Sequence, residues 1–141
     1  MTETPRVTIG LPVYNSERYV RQSIESLLAQ SYFRFVLIIS DNASTDGTQQ
    51  ICQEFAKADP RVRYYRNPVN IGNPGNFNRV FELATTPYLK WATADDFWEP
   101  TFVERAVEVL DKDPTVVLCY PSAFLVDAAG ANAKPYDDCL H

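Results

Sequence analysis

Apolar positions along this chain switch between two periods. Val7-Thr-Ile-Gly-Leu-Pro12 and Phe35-Val-Leu-Ile-Ile-Ser40 are short, β-branched and almost continuously apolar, the pattern of strands buried on both faces. Between them Tyr19, Val20, Ile24, Leu27 and Leu28 recur at helical spacing, with Asn15 or Ser16 placed to cap the helix they predict. A second helix is predicted after Ser44-Thr45-Asp46, carrying Ile51 and Phe55, before Val62-Arg-Tyr-Tyr-Arg66 resumes a strand with one of its tyrosines in the core. The run from Asn70 to Asn78 is rich in turn residues; Phe77, Val80, Phe81 and Ala84 then mark a third helix leading to a strand over Tyr88–Trp91. A fourth helix carries Phe102, Val103, Ala106, Val107 and Leu110. Strands are expected next at Val116-Val-Leu-Cys-Tyr120 and Ala123-Phe-Leu-Val126, the latter followed by a turn at Ala128-Ala-Gly130.

This alternation predicts an α/β fold: a mostly parallel twisted sheet with helices on both faces and right-handed crossovers. A length of 141 residues with 45% hydrophobic content suits one domain over residues 1–141 with a core of its own. In such sheets ligands collect outside the carboxyl ends of the strands. The polar clusters Pro12-Val-Tyr-Asn15, Ser40-Asp-Asn42, Asn67 to Asn78 and Thr93 to Asp96 each follow a predicted strand and so fall at that one edge. The connections at the opposite edge, Ser31-Tyr-Phe-Arg34, Asp59-Pro-Arg61 and Thr85-Thr-Pro87, hold fewer acidic or amide side chains. The contrast favours a site over loops that are polar only because they are wet.

The sharpest chemistry lies in Tyr88-Leu-Lys-Trp-Ala-Thr-Ala-Asp95-Asp96-Phe-Trp-Glu-Pro100, an apolar run ending in adjacent carboxylates. Two ionised carboxylates repel each other, and a bound divalent cation removes the conflict. Mg2+ or Mn2+ suits such a place, being held by one or two carboxylates together with substrate phosphates. The competing reading has Asp95 capping the helix that begins near Pro100 and Asp96 solvated. Neighbouring side chains on an extended segment point apart, so one of the two aspartates is expected to lead as ligand. A net charge of -5 argues against a nucleic-acid partner. No segment approaches the roughly 20 apolar residues of a membrane span, and the first residues lack a signal-peptide core, which together read as cytoplasmic. Cys52, Cys119 and Cys139 have no metal-binding spacing and read as reduced thiols. Trp91, Phe97 and Trp98 flank the acidic pair, either as loop buttresses or as a stacking surface. Arg63, Arg66 and Arg79 are candidates to face a phosphate.

At these residues the chain resembles glycosyltransferase family 2, of the GT-A fold. The likeness runs through Val7-Thr-Ile-Gly-Leu-Pro-Val-Tyr-Asn15, Leu27-Leu-Ala-Gln-Ser-Tyr32, Ser40-Asp-Asn-Ala-Ser-Thr-Asp-Gly-Thr48, Asn70-x-Gly72 with Asn78, and Thr93-Ala-Asp95-Asp96. The resemblance implies a Rossmann-like three-layer sandwich that binds a UDP- or GDP-linked sugar, with Pro12, Val13 and Tyr14 bordering the base. Asp41 would accept from base N–H groups and Asn42 would assist, against a reading of both as turn or cap residues. Asn70, Gly72 and Asn78 would form a helix start at the nucleotide-sugar. Thr93, Ala94 and Asp95 would line the donor, with Asp95 the leading metal ligand and Asp96 next.

Two positions depart from the family pattern, which commonly has an acidic residue where Thr93 stands and a second aspartate where Asn42 stands. The family also places acceptor recognition and the general base beyond His141, and Asp137, Asp138 and His141 fall in no family motif. The chain therefore reads as the donor-binding part of an inverting glycosyltransferase, truncated on its C-terminal side, whose acceptor is a saccharide or a lipid-linked group. The full enzyme would be cytoplasmic or peripheral to the membrane, and the fragment would be prone to self-association through uncovered apolar surface. A non-catalytic nucleotide-sugar-binding module fits the same residues. A receiver-like signalling domain does not: it requires an acidic pair after the first strand, an aspartate after the third and a lysine after the fifth. Pro12-Val-Tyr-Asn15, Asn67-Pro-Val-Asn70 and Pro121-Ser122 stand there instead.

Overall fold

The computed structural model describes residues 4–136, which form two compact units divided after Val103. Elements run β1 (Val7–Val13), α1 (Val20–Leu28), β2 (Phe35–Asp41), α2 (Thr48–Ala58), β3 (Val62–Arg66), α3 (Gly72–Leu83), β4 (Tyr88–Trp91), α4 (Phe102–Lys112), β5 (Phe124–Leu125) and β6 (Lys134–Pro135).

The first unit is built on a parallel four-stranded sheet in the order β3-β2-β1-β4. β1 and β2 are central, buried at every residue, and paired from Val7 with Phe35 through Val13 with Asp41. Their near-continuous apolar sequence is what burial on both faces demands. The chain steps through β1, β2 and β3 in one direction and then returns across the sheet to β4. Right-handed crossovers accordingly put α1 and α2 on one face and α3 on the other, the layered sheet expected. On α1, Val20, Ile24 and Leu27 are fully buried, and each such side chain contributes about 1.5–3 kcal/mol of transfer free energy. On the α3 face Gly10 allows close packing: a Cβ there would lie 2.0 Å from Cγ1 of Val80.

Several local expectations are corrected. Neither Asn15 nor Ser16 caps α1, whose start at Tyr19 has no side-chain cap. A turn at Ser16, whose carbonyl accepts from Tyr19 and Val20 N–H, delays the helix. α3 begins at Gly72, where the family resemblance puts a helix start and earlier than the apolar spacing from Phe77 implies; Pro74 sits in its first turn, where a missing N–H costs nothing. Phe81 is 62% exposed, so it lies off the core face of that helix. Tyr64 and Tyr65 are both half-buried, with neither fully in the core.

In the second unit β5 and β6 form a short antiparallel ladder. Its turn is closed by Asp127, whose Oδ1 accepts from Ala129 and Ala131 N–H, and Gly130 supplies the positive φ. The strand expected at Val116–Tyr120 is not formed. A strand needs a hydrogen-bonded neighbour, no described residue pairs with this run, and Val117 and Leu118 are 92% and 75% exposed. The expected Ala123–Val126 strand shortens to Phe124–Leu125 for the same lack of a longer partner. Asp137, Asp138, Cys139 and His141 lie outside the described residues.

Candidate functional site

A cleft of about 560 Å³ opens at the carboxyl edge of the sheet. Its walls are the ends of β1 (Pro12, Val13, Tyr14), the loop and first turn of α3 (Asn70, Gly72, Asn76) and the segment after β4 (Thr93, Ala94, Asp95), with Asn42 from the end of β2. Of the residues singled out from sequence, these nine come together: Pro12, Val13, Tyr14, Asn42, Asn70, Gly72, Thr93, Ala94 and Asp95. Asp41, Asn78 and Asp96 do not line the cleft.

Asparagine amides lock the α3 wall. Asn42, 2% exposed, accepts at Oδ1 from Ile71 N–H (2.9 Å) and Asn67 Nδ2 (3.2 Å), and donates from Nδ2 to Asn70 Oδ1 (2.8 Å) and the Gly72 carbonyl (3.2 Å). All its hydrogen-bonding capacity points inward, so its task here is to hold the loop. Asn76, which sequence reading passes over in favour of Asn78, donates to the Ser40 carbonyl at 2.9 Å and accepts from Ser40 Oγ at 2.7 Å. It also accepts from Asn67 Nδ2 at 3.1 Å. Asn78, two residues on, is exposed on the solvent side of the helix. The spacing of the Asn70–Asn78 run carries no mark of which amide faces inward, because its turn-rich composition sets the expected helix start too late.

Asp41 sits behind the cleft, fully buried. Its Oδ1 accepts from Ser44 N–H at 2.8 Å, and its Oδ2 from Tyr64 Oη at 2.6 Å and Arg66 Nη1 at 2.8 Å. Arg66 also donates to the Ser44 carbonyl at 2.9 Å, fixing the β2 loop from both sides. Burial, with the Asp41 carboxylate beside it, pushes the Tyr64 phenol well above its ordinary pKa, so it stays a donor. In this arrangement Asp41 ties the loop after β2 through Ser44 N–H. Arg79 pairs with Glu82 at 3.5 Å, and Arg63 lies in a separate groove at the opposite sheet edge. Burial pushes the Cys52 thiol up to about 12, adding to the reading that it carries no chemistry.

The acidic segment is anchored from α1. Ser23 Oγ donates to the Thr93 carbonyl (2.9 Å), Ser26 Oγ accepts from Trp98 N–H (3.2 Å), and Gln30 Nε2 donates to the Glu99 carbonyl (2.8 Å). Gln30, 1% exposed, also accepts from Val103 N–H at 3.0 Å and so serves the first turn of α4. That position removes the helix-cap reading of Asp95. No hydrogen bond or ion pair from the described residues engages the Asp95 carboxylate, which stands exposed on the cleft wall. Asp96 points elsewhere and accepts from the Thr93 hydroxyl. Ser23 and Ser26 escape sequence reading because polar residues on a helix otherwise read as solvated, and Gln30 stands in a family-like string that carries no sign of its role.

The donor set fits a hard divalent cation only in part. Among the described residues no group of three or more His, Cys, Asp or Glu side chains could enclose a metal. One free carboxylate on an open cleft is what a cation shared with a substrate's phosphates requires.

Comparison with known proteins settles the family. The model of the family described as "Glycosyl transferase family 2" matches residues 8–134. The chain belongs to glycosyltransferase family 2. EpsE of Bacillus subtilis (strain 168), which carries a glycosyltransferase name, is 35% identical over 113 residues, covering 79% of this chain and 41% of EpsE. Chondroitin synthase of Escherichia coli is 32% identical over 130 residues, 92% of this chain and 19% of the synthase. Among solved structures, the Pyrobaculum calidifontis mannosyltransferase PcManGT, in complex with GDP-Man and Mn2+, matches with a TM-score of 0.73 at 28% identity, over 82% of this chain and 34% of that one. Staphylococcus aureus TarS, at 24% identity and a TM-score of 0.71, shares the fold over 76% of this chain. The sheet and helices of this family 2 chain are those of the GT-A fold. The chain spans less than half the length of these relatives, and no helix among its described residues is long and apolar enough to cross a membrane.

Proposed function

We propose that the chain, over residues 1–141, is the donor-binding part of a metal-assisted, inverting glycosyltransferase that binds a nucleotide-diphosphate sugar in the carboxyl-edge cleft. The observation that carries this reading is Asp95: an unengaged carboxylate on the wall of a cleft whose other lining side chains are neutral. The cleft volume suits a ligand of nucleotide-sugar size. UDP and GDP are the candidate nucleotides, and GDP-Man with Mn2+ in PcManGT supports the class.

In this reading Pro12, Val13 and Tyr14 border the base, and the amide-locked Asn70–Gly72 loop shapes the opposite wall. Asp95 would hold Mn2+ or Mg2+, with Asp96 as the neighbouring acidic group. When bound, the metal neutralises charge on the diphosphate as the bond from the anomeric carbon to its oxygen breaks. Thr93 and Ala94 would line the donor beside Asp95. The acceptor, a saccharide or lipid-linked group, attacks from the far side and gives its proton to a base, and no second carboxylate lines the described cleft. That base is assigned to the acceptor-binding part of a longer protein acting in glycan synthesis at the cytoplasmic side of the cell envelope. A non-catalytic nucleotide-sugar-binding module is the second reading, favoured by the same single carboxylate.

Calorimetric titration with UDP and GDP in the presence of Mn2+ tests this. Metal-dependent binding lost in Asp95→Ala, with folding intact, is the expected result. Equal affinity in the variant removes Asp95 from the site, and no binding of either nucleotide overturns the reading.

A further inference from the structure

Lys90 is the one charged side chain of β4, and the donor-site chemistry leaves it unused. Its Nζ lies 3.0 Å from the centroid of the Trp98 ring and 5.0 Å from that of Phe102, and it donates to the Trp91 carbonyl at 3.1 Å. Trp91 is the last residue of β4, where the acidic segment begins. Trp98 lies two residues past Asp96, where the segment ends. One ammonium therefore touches both ends of the stretch that carries Asp95.

We propose that Lys90 is a positioning residue for the acidic segment, its ammonium tying the Trp91 carbonyl at the entry to the Trp98 indole face at the exit and so setting where Asp95 stands. What Asp95 does rests on the donor-site reading above; the clamp itself does not. A lysine serving only solubility would extend into water. This one is half-buried against the Trp98 ring, and burial pushes its pKa down to about 7, opposed by attraction to Asp96. Its Nζ is spent on the indole face and the Trp91 carbonyl, contacts that a neutral apolar side chain of the same length could not make. The Trp98 indole N–H has no partner among the described residues, so its ring is held on this side by packing and by the cation alone. Other ties hold the segment to its surroundings: hydrogen bonds from Ser23 and Ser26 on α1 and from Gln30 just beyond it, Ala92 N–H to the Gly10 carbonyl, and the Phe77–Trp91 ring contact. Lys90 is the tie that couples the two ends directly to each other.

Amide hydrogen exchange on the ligand-free chain decides the clamp. In Lys90→Met, which keeps the length of the side chain and removes its charge, amides of residues 93–97 are expected to exchange about tenfold faster, the loss of one desolvated cation–π tie. Amides of β1 and β2 should be unchanged. Unaltered exchange in the segment overturns the proposal. Should Lys90→Met not fold, Trp98→Leu removes the other half of the contact and is expected to loosen the same amides; unaltered protection there overturns it equally. Titration with Mn2+ and UDP or GDP then reads the consequence. Affinity in Lys90→Met is expected to fall by about tenfold, in step with the exchange. Wild-type affinity in a loosened segment overturns the positioning role. If the wild-type chain binds neither nucleotide, the donor-site reading fails, while the exchange result still decides the clamp.

Discussion

Replacing Asn42 by aspartate changes one atom's chemistry at the centre of the amide lock. The orientation of the amide is fixed by two backbone groups: Ile71 N–H must meet an acceptor, so Oδ1 faces it, and the Gly72 carbonyl must meet a donor, so Nδ2 faces that. Asn42→Asp keeps the two acceptor contacts and turns the two donor contacts, to Asn70 Oδ1 at 2.8 Å and Gly72 O at 3.2 Å, into oxygen against oxygen. Two lost hydrogen bonds cost about 1 kcal/mol each, and a side chain only 2% exposed adds the desolvation of a carboxylate, for a total of about 2–4 kcal/mol near pH 7. Burial and facing oxygens raise the introduced pKa above its unfolded value of about 3.9, so the native state binds more protons than the unfolded state above that pH. Stability then falls as pH rises from about 4 through the raised pKa, and the deficit shrinks in acid, where the introduced carboxyl group, once protonated, regains one donor. Urea unfolding at pH 4.5 and 7.5 reads both quantities from midpoints at constant slope. A variant within about 0.5 kcal/mol of wild type at pH 7.5, or a deficit that does not depend on pH, would refute the assignment of Asn42 as a four-bond lock.

Two further predictions test the packing beneath the cleft and the charge beside it. Gly10→Ala drives a Cβ to 2.0 Å from Cγ1 of fully buried Val80 and is expected to cost about 1–3 kcal/mol. Combined with Val80→Ala, it should show a favourable coupling of at least about 1 kcal/mol in a double-mutant cycle, whereas additivity within about 0.5 kcal/mol would deny the contact. Lys90, at about 7 in the folded chain against 10.5, leaves the native state with fewer protons than the unfolded state across that window. Stability should therefore rise between pH 7 and 9, by less than about 3 kcal/mol, and the rise should be absent in Lys90→Met; parallel profiles would show that Lys90 is not held in a perturbed state.

What was legible in the sequence followed from periodicity and from the edge rule. β1 and β2 stand out because burial on both faces leaves no polar alternation, and the cleft lies where four post-strand loops had to converge. What failed depended on partners that no local pattern records. Val116–Tyr120 has strand composition but no strand partner among the described residues, and Phe81 has helical spacing but the wrong face. Asn76 and Asn78 are chemically identical, and a shift in the start of α3 decides which one looks inward. Ser23, Ser26 and Gln30 look like surface positions until the acidic segment is laid over them.

The choice of polar groups around the cleft has one electrostatic consequence. Carboxylates make stronger anchors for backbone N–H groups than amides do, yet Asn42, Asn70 and Asn76 carry the anchoring at the cleft wall. Amides can also donate, which lets one side chain join two loops, and they bring no charge to compete for a cation. The nearby carboxylate that does anchor a loop, Asp41, is withdrawn behind the wall and matched by Arg66 at 2.8 Å. Asp96 does not line the cleft, and its carboxylate accepts from the Thr93 hydroxyl. Negative charge on the described cleft wall is thereby concentrated at Asp95, which under the proposed donor-site reading would leave one carboxylate for a cation arriving with a diphosphate. Placing a carboxylate at position 42 of this chain would disturb this twice, by unlocking the loop and by adding a second negative charge beside the cleft.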